Sequence, residues 1–162
     1  AKAGLAMANL SAVKGRGQQH KLMSSSGPYC LIDESYNANP TSMRAALALL
    51  GAGQVRARGR RIAVMGDMLE LGPTSRELHA ELASGVRENN IDMVYLAGPE
   101  MSALSEELNG VVPCEYAPAI NDLIEPITAE LREGDVIMAK ASLGMGFAKL
   151  IEHLLETGAR ES

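Results

Sequence analysis

Four short and almost uninterrupted apolar runs constrain the fold of this chain more than any other feature of its sequence. They cover residues 29–32, 62–65, 93–97 and 136–139. Runs of about five residues without polar alternation are typical of strands that are buried on both faces, as in parallel sheets. Helical patterns lie between the runs, and this alternation predicts an α/β fold: an open, mostly parallel sheet with helices on both faces. Shorter segments at 20–24 and 114–116 predict two further strands, the first of them at a sheet edge.

The helices are predicted from apolar side chains that recur at intervals of three and four residues. The stripes are Met43, Leu47 and Leu50; Leu78, Leu82 and Val86; Met101, Leu104 and Leu108; Ile120, Leu123, Ile124, Ile127 and Leu131; and Phe147, Leu150, Ile151 and Leu154. Asn39 and Pro40 favour a helix start at that point. The Thr-Ser-Arg-Glu string at 74–77 has the spacing of a capping box, and Pro126 predicts a kink or a boundary in the fourth helix.

Composition excludes several classes of protein. Hydrophobic residues make up 46% of the 162 residues and charged residues 22%, the balance of an ordinary globular domain rather than of a disordered, collagen-like or coiled-coil chain. A formal net charge of -5 and 3% aromatic residues, without tryptophan, argue against a nucleic-acid partner. No apolar run approaches the roughly 18 residues of a membrane helix, and no signal segment opens the sequence. Two cysteines, Cys30 and Cys114, cannot form a disulfide scaffold and favour a reducing, cytoplasmic location.

The first residues are expected to continue a segment that precedes this chain. Residues 1–10 have the pattern of a helix end whose main body is missing, with a processed terminus or an expression remnant as the alternative. Lys14 and Arg16 flank Gly15 in a basic hinge that can reach a phosphate, or in an ordinary solvated linker. The expected division is 1–14 as the end of a preceding domain and hinge, 15–158 as the α/β domain, and 159–162 as a tail.

The carboxyl ends of the strands select three loops as candidate sites, since ligands of open α/β sheets bind there. The loops are residues 33–40, 66–72 and 140–146. In the first loop, Asp33 and Glu34 suit the hydroxyls of a sugar. Asn37 and Asn39 stand beside a helix N-terminus, where an anion is favoured. An ordinary turn with helix-capping residues is the alternative.

The other two loops also carry polar side chains. Asp67 and Glu70 suit a metal, a water or an ammonium group, although carboxylates at this spacing are also common on solvated loops. Lys140 and Ser142, together with open backbone N–H groups, suit a carboxylate or a phosphate. All three loops are polar or contain glycine at places where a plain connector needs no such residues.

Several familiar site motifs are absent from the sequence. It contains no G-x-x-x-x-G-K-[ST] phosphate loop, and Gly144 and Gly146 lack the third glycine of a G-x-G-x-x-G fingerprint. It also offers no G-x-S-x-G string, no cysteine–histidine pair for nucleophilic catalysis and no zinc-ligand spacing. His79 is interpreted as a surface or structural histidine. A basic run is interpreted as a solvated face, and it comprises Arg56, Arg58, Arg60 and Arg61.

Four strings, taken in order, resemble the C-terminal domain of the Mur ligases, a family of ATP-dependent amide-forming enzymes of peptidoglycan synthesis. The strings are Val-Lys-Gly-Arg at 13–16, the 33–40 loop followed by Ser42 and Met43, Gly-Asp-Met-Leu-Glu-Leu-Gly at 66–72, and Lys-Ala-Ser at 140–142. The resemblance runs from about residue 5 to residue 155. Its Ser-Tyr-Asn-Ala-Asn-Pro and Gly-Asp-Met-Leu-Glu-Leu-Gly strings are similar to the branch that joins D-alanyl-D-alanine to UDP-N-acetylmuramoyl-tripeptide.

This resemblance implies the Rossmann-like third domain of a three-domain ligase that works in cell wall biogenesis, cell shape and cell division. The absent N-terminal and central domains of the same polypeptide are the implied partners. The first holds the UDP-sugar precursor, and the central domain carries the phosphate loop and most of the magnesium ligands. ATP and Mg²⁺ are the implied cofactors, and the fragment alone is expected to be inactive.

The resemblance also implies roles for particular residues. The implied ATP contacts are Arg16, Asp33, Glu34, Tyr36, Asn37 and Asn39, and the implied dipeptide contacts are Asp67, Glu70, Lys140 and Ser142. No catalytic residue and no metal ligand is implied in this domain. Two positions depart from the family pattern: Glu34 stands where an aspartate is usual, and Leu143 where an arginine is frequent.

Two other interpretations stay open at the level of sequence. The domain can belong to another Mur ligase or to a folylpolyglutamate synthase, although the Asn-Ala-Asn string at 37–39 favours the dipeptide-adding branch. The second alternative is a stand-alone, non-catalytic ligand-binding α/β domain that shares the sheet but has no partner domains.

Overall fold

The computed structural model describes residues 15–53, 55 and 59–159. Their strands form one six-stranded sheet. Its strands are β1 (Gln18–Ser24), β2 (Gly27–Glu34), β3 (Arg61–Gly66), β4 (Met93–Ala97), β5 (Cys114–Ala117) and β6 (Val136–Lys140). They lie in the order β1-β2-β6-β3-β4-β5, with β1 antiparallel to β2 and every other neighbouring pair parallel. The open, mostly parallel sheet is therefore confirmed, and the two further strands predicted at 20–24 and 114–116 form its edges.

Helices cover both faces of this sheet, as the sequence predicts. In the described residues they are α1 (Pro40–Ala52), α2 (Ser75–Ala80), α3 (Leu82–Glu88), α4 (Ser102–Leu108), α5 (Ile124–Glu130) and α6 (Phe147–Ala159). Along β3, Ile62 and Val64 belong to the apolar core that includes side chains of α5 and α6. Ala63 and Met65 point to the opposite core, which includes side chains of α1, α3 and α4. None of the helices in the described part of the chain combines the length and the hydropathy that a membrane crossing requires.

The start of α1 agrees with the sequence, whereas the start of α2 does not. The Asn39 side-chain oxygen accepts a hydrogen bond from the amide of Ser42 at 2.8 Å, and the Ser42 hydroxyl oxygen accepts one from the amide of Asn39 at 3.0 Å. The capping box predicted at 74–77 is wrong, because the Thr74 side chain makes no cap hydrogen bond. A 3₁₀ turn, Gly72–Thr74, runs directly into α2, so Thr74 lacks the extended backbone of a capping residue.

Two of the predicted helices are divided in the structure. The second stripe is shared between α2, which ends at Ala80, and α3, which begins at Leu82. The fourth begins as a 3₁₀ turn, Ile120–Asp122, and continues as α5 with Pro126 in its first turn. Proline is tolerated there because the first amides of a helix have no intrahelical partner. The boundary predicted from Pro126 is therefore confirmed.

The basic run before β3 is not a solvated face in its described part. Arg60 forms an ion pair with the buried Asp135, whose Oδ2 lies 2.7 Å from the Arg60 Nη2. Arg61 donates hydrogen bonds to two backbone carbonyl oxygens near the end of α1, at 3.2 and 2.7 Å. Both cations join the amino end of β3 to neighbouring elements, which corrects the interpretation from sequence. Arg56 and Arg58 lie outside the described residues.

Candidate functional site

The three candidate loops meet at one edge of the sheet, the one formed by the carboxyl ends of its parallel strands. They follow β2, β6 and β3, which are neighbours in the sheet and run parallel to one another. Because the carboxyl ends of parallel strands share an edge, the loops at 33–40, 140–146 and 66–72 are adjacent. The loops selected in the sequence as those that follow strand ends are therefore adjacent in the structure.

Residues 15–17 reach the same edge through contacts with the first loop. The amide of Gly17 donates to the carbonyl oxygen of Asp33 at 2.8 Å, and the amide of Tyr36 donates to that of Gly15 at 2.9 Å. The guanidinium carbon of Arg16 lies 3.9 Å from the centroid of the Tyr36 ring, a cation–π contact. Gly15 has a φ of 79°, and an added Cβ would lie 3.0 Å from the Cβ of Tyr36, so this close approach requires glycine.

A cleft of about 220 Å³ opens between the first loop and the end of β6. We call it the β2–β6 cleft, and it is lined by Gly15, Arg16, Glu34, Tyr36, Asn37, Asn39, Ser42 and Lys140. It collects five of the six residues that the resemblance assigns to ATP. The sixth, Asp33, is not among the lining residues.

Asp33 fixes the shape of the first loop from inside the protein. It is only 1% exposed, and its carboxylate accepts hydrogen bonds from the amide of Ser35 at 3.0 Å and from the Ser35 hydroxyl. The side-chain oxygen of Asn37 accepts one from the amide of Ala38 at 2.8 Å. These local bonds hold the loop backbone, and Glu34 is the member of the carboxylate pair that lines the cleft.

Lys140 joins β6 to the first loop. Its ammonium nitrogen donates a hydrogen bond to the carbonyl oxygen of Asn37 at 3.0 Å and lies 3.8 Å from a carboxylate oxygen of Glu34. Only 7% of the Lys140 side chain is exposed. Burial lowers the pKa of Lys140, and the carboxylate of Glu34 opposes this shift. The structure thus places Lys140, which the resemblance assigns to the dipeptide, among the residues assigned to ATP.

Asp67, in the second loop, is buried and anchors that loop to the start of α4. Its two carboxylate oxygens accept hydrogen bonds from the amides of Met101 at 2.9 Å and Glu100 at 3.1 Å. Burial raises the pKa of Asp67, and these two hydrogen bonds oppose the shift. Gly98 makes room for the carboxylate, since any added Cβ at that position would collide with it.

Ser142 connects the third loop to the second. Its hydroxyl oxygen accepts a hydrogen bond from the amide of Leu69 at 2.9 Å, and its own amide donates to the carbonyl oxygen of Asp67 at 3.1 Å. Glu70, the next residue along the second loop, is exposed. Leu143, at the position where the family often has arginine, is 65% exposed. Ser142 therefore contacts the second loop, whereas Lys140 contacts the first.

Two residues of this edge received no role from sequence reasoning. Ser42 lines the β2–β6 cleft, and its spacing from Asn39 is the signal that locates it, because the two form the capping box. His79 is fully buried, and its Nε2 accepts a hydrogen bond from the amide of Met68 at 2.9 Å. This confirms a structural histidine. No local pattern distinguishes it from a surface histidine, because its partner belongs to another segment.

The described residues hold no group of three or more histidine, cysteine, aspartate or glutamate side chains arranged to bind a metal ion. Cys30 and Cys114 are free thiols. Burial raises the pKa of each, so both are mainly protonated and weakly nucleophilic at neutral pH.

The comparisons with known proteins identify related sequences along almost the whole chain. The family described as "Mur ligase, glutamate ligase domain" matches residues 15–143. The UDP-N-acetylmuramoyl-tripeptide--D-alanyl-D-alanine ligase of Escherichia coli (strain K12) is 34% identical over 159 residues, which cover 97% of this chain and 32% of that protein. The ligase of the same name from Bacillus subtilis (strain 168) is 30% identical over 154 residues, or 91% of this chain and 33% of that protein.

A solved structure extends this similarity to the fold. Crystal structure II of MurF from Acinetobacter baumannii matches with a TM-score of 0.73 and 28% sequence identity, covering 89% of this chain and 31% of that one. The chain thus spans about a third of the length of the proteins that it matches. The family match covers most of the chain, including the first two candidate loops and the start of the third. This protein therefore belongs to the Mur ligase, glutamate ligase domain family.

Proposed function

We propose that this chain is the C-terminal domain of a MurF ligase, the ATP-dependent enzyme that joins D-alanyl-D-alanine to UDP-N-acetylmuramoyl-tripeptide in peptidoglycan synthesis. The relatives from E. coli and B. subtilis are named for this activity. The strings at 35–40 and 66–72 that resemble this branch lie in two of the three loops at the ligand edge of the sheet. A share of about a third of each relative fits one domain of three.

The observation that carries this proposal is the β2–β6 cleft. Arg16 contributes an exposed guanidinium, which suits phosphate oxygens. Glu34 contributes a carboxylate at a strand end, which suits the hydroxyls of a ribose. We therefore assign the cleft to ATP. Asp33 does not line the cleft and instead holds the backbone of the first loop through its hydrogen bonds to Ser35. Tyr36, Asn37 and Asn39 line the path toward the dipeptide.

The dipeptide is assigned to the neighbouring second and third loops. Glu70 and Ser142 border this half of the site, and Asp67 holds the second loop in place through its bonds to backbone amides. The contacts of Lys140 favour a role beside the nucleotide, because its ammonium group is bonded to the first loop. The two half-sites share one edge of the sheet, so a substrate bridging them lies across the ends of β2, β6 and β3.

The proposed reaction has two steps. The terminal phosphoryl group of ATP passes to the carboxylate of the tripeptide, which gives an acyl phosphate and ADP. The amine of D-alanyl-D-alanine then attacks the acyl carbon, loses a proton, and releases inorganic phosphate as the amide forms. Such chemistry depends on alignment and charge stabilisation more than on a nucleophile from the protein. This domain contributes alignment when it closes over the central domain.

The proposal includes the remaining domains of the polypeptide. Residues 1–14, with the helix end expected at 1–10, lie outside the described residues and are assigned to the end of the central domain and a hinge. The C-terminal domain is assigned to residues 15–159, because α6 extends to Ala159, one residue beyond the boundary expected from the sequence. The central domain supplies the phosphate loop and the ligands of Mg²⁺. The free thiols of Cys30 and Cys114 support a cytoplasmic location.

The test is an acceptor panel with the whole polypeptide that contains this chain. Phosphate release is measured with ATP, Mg²⁺ and one matched pair of carboxylate acceptor and amine at a time. The pairs are UDP-N-acetylmuramoyl-tripeptide with D-alanyl-D-alanine, shorter UDP-N-acetylmuramoyl precursors with D-glutamate or L-lysine, and a folate with L-glutamate. We expect rapid release and a mass-verified amide product with D-alanyl-D-alanine alone. The 162-residue chain by itself is expected to give no turnover, since it lacks a phosphate loop.

The panel also distinguishes the two alternative ligase functions. Turnover with another single amino acid assigns the domain to a different Mur ligase, and turnover with L-glutamate on a folate substrate assigns it to a folylpolyglutamate synthase. Amide formation by the 162-residue chain alone would contradict the proposal that it is one part of a closing, three-domain enzyme.

A further inference from the structure

His79 has both ring nitrogens engaged in the protein interior. It lies on α2 and is fully buried. Its Nε2 faces the amide of Met68 at 2.9 Å, and its Nδ1 lies 2.7 Å from the carbonyl oxygen of Ser75. Because the amide of Met68 is a donor, Nε2 must be unprotonated and accept, while Nδ1 carries the proton and donates to Ser75. The contacts thus select a single neutral tautomer of the imidazole.

The two amides that precede Glu70 are both held by side chains. Met68 donates to His79, and Leu69 donates to the hydroxyl oxygen of Ser142. Glu70 itself has a φ of 61°, in the left-handed region that residues other than glycine rarely occupy. Such a conformation persists only where the surrounding structure fixes it. The two side-chain bonds supply that restraint on the N-terminal side of Glu70.

The second loop carries two carboxylates, one hydrogen-bonded inside the protein and one exposed. The carboxylate of Asp67 is buried and accepts hydrogen bonds from two backbone amides. Glu70 is exposed at the same edge of the sheet. A carboxylate of this kind suits an ammonium group, with which it forms charge-assisted hydrogen bonds.

We propose that His79 is a positioning residue for recognition of the incoming dipeptide: its neutral imidazole fixes the second loop so that Glu70 presents its carboxylate to the ammonium group of that substrate. This inference rests on the proposed function, in which the second loop borders the dipeptide. His79 touches no substrate in this account. It acts through the amide of Met68 and the backbone conformation of Glu70.

The kinetic test compares two substitutions in the whole polypeptide. His79→Leu removes the acceptor for the amide of Met68, whereas His79→Gln retains a side-chain oxygen near the position of Nε2. We expect His79→Leu to raise the KM for D-alanyl-D-alanine about tenfold and to change the KM for ATP less than about twofold. His79→Gln is expected to recover most of the affinity for the dipeptide. Glu70→Gln is expected to reproduce the KM effect of His79→Leu.

Val86→Ala is the matched control. It shortens a buried side chain on α3 that has no polar group to bond the amides of the second loop, so it is expected to lower stability and leave both KM values unchanged. Equal rises in the KM for ATP and for the dipeptide in His79→Leu, or no rescue by His79→Gln, would overturn the positioning role.

A second measurement keeps the inference testable if His79→Leu fails to fold. Two-bond ¹H–¹⁵N spectra of the 162-residue chain report the tautomer of each histidine. We expect His79 to be neutral with its proton on Nδ1, and a proton on Nε2 would refute the inference. This spectrum needs no substrate. It therefore tests the positioning role of His79 separately from the proposed function, which the turnover assay tests. If the whole polypeptide shows no turnover with D-alanyl-D-alanine, the proposed function and the dipeptide role of His79 both fail, whatever the tautomer.

Discussion

Replacing Asp135 with alanine is expected to lower the free energy of unfolding of this chain by about 3 to 5 kcal/mol. The carboxylate is 1% exposed and accepts four hydrogen bonds: from the backbone amide, Nε and Nη2 of Arg60 at 3.0, 3.2 and 2.7 Å, and from the amide of Arg132 at 2.9 Å. Its removal leaves two backbone amides without this acceptor and the Arg60 guanidinium without its counter-ion, with the carbonyl oxygen of Glu130 as a remaining hydrogen-bond partner at 2.7 Å. Urea unfolding followed by circular dichroism measures the loss.

The control for Asp135 is Glu106→Ala, which also removes a carboxylate from an ion pair with arginine. Glu106 lies 3.8 Å from Arg76, but its side chain is 77% exposed. Water and salt screen such a pair, so we expect a change within about 0.5 kcal/mol. If Asp135→Ala were as mild as this control, the buried network would not be what holds the amino ends of β3 and β6 together.

The second large effect is expected for Lys140→Met in the whole polypeptide, where kcat/KM for ATP should fall about 100-fold. Methionine keeps most of the length of the side chain but removes the hydrogen bond to the carbonyl oxygen of Asn37 and the charge beside Glu34. Glu34 then becomes a half-buried carboxylate without its cation, and the first loop loses the side-chain hydrogen bond that joins Asn37 to β6. We expect the KM for D-alanyl-D-alanine to change much less. Steady-state phosphate release with each substrate varied in turn provides both constants.

Lys149→Met is the matched control for Lys140. It removes the same charge from an exposed position on α6, outside the residues that line the β2–β6 cleft, and its kinetics should resemble those of the wild type. A rise confined to the KM for the dipeptide in Lys140→Met would instead place Lys140 with Ser142, as the family resemblance implies. That result would contradict the assignment of Lys140 to the nucleotide half.

The positions of the central strands along the chain were predictable because these strands are buried on both faces. Val64 and Met65 face opposite cores, so neither face of β3 tolerates polar alternation, and the run of apolar residues marks the strand directly. The ends of these strands then locate the candidate loops without knowledge of any tertiary contact. The start of α1 was also predictable from local sequence, because its capping residues, Asn39 and Ser42, are only three positions apart.

The roles of individual polar side chains were less predictable, because their partners are distant in sequence. Arg60 pairs with Asp135, 75 residues later, and Lys140 bonds to Asn37, 103 residues earlier. Asp67 contacts amides just before α4, about 33 positions along the chain. Such pairs follow from how the sheet brings segments together, and no local spacing encodes them. The capping box expected at 74–77 failed for a related reason, since the spacing does not specify the backbone conformation of Thr74.

Hydrogen–deuterium exchange of the whole polypeptide, with and without a non-hydrolysable ATP analogue, tests the assignment of the β2–β6 cleft most directly. Peptides that contain residues 15–17 and 33–40 should exchange more slowly when the nucleotide is bound, and D-alanyl-D-alanine added afterwards should protect residues 66–72. Segments at the opposite edge of the sheet, such as 110–114, should not change. Protection by the nucleotide that omits 15–17 and 33–40 would contradict the account, because ATP would then contact this domain elsewhere or not at all.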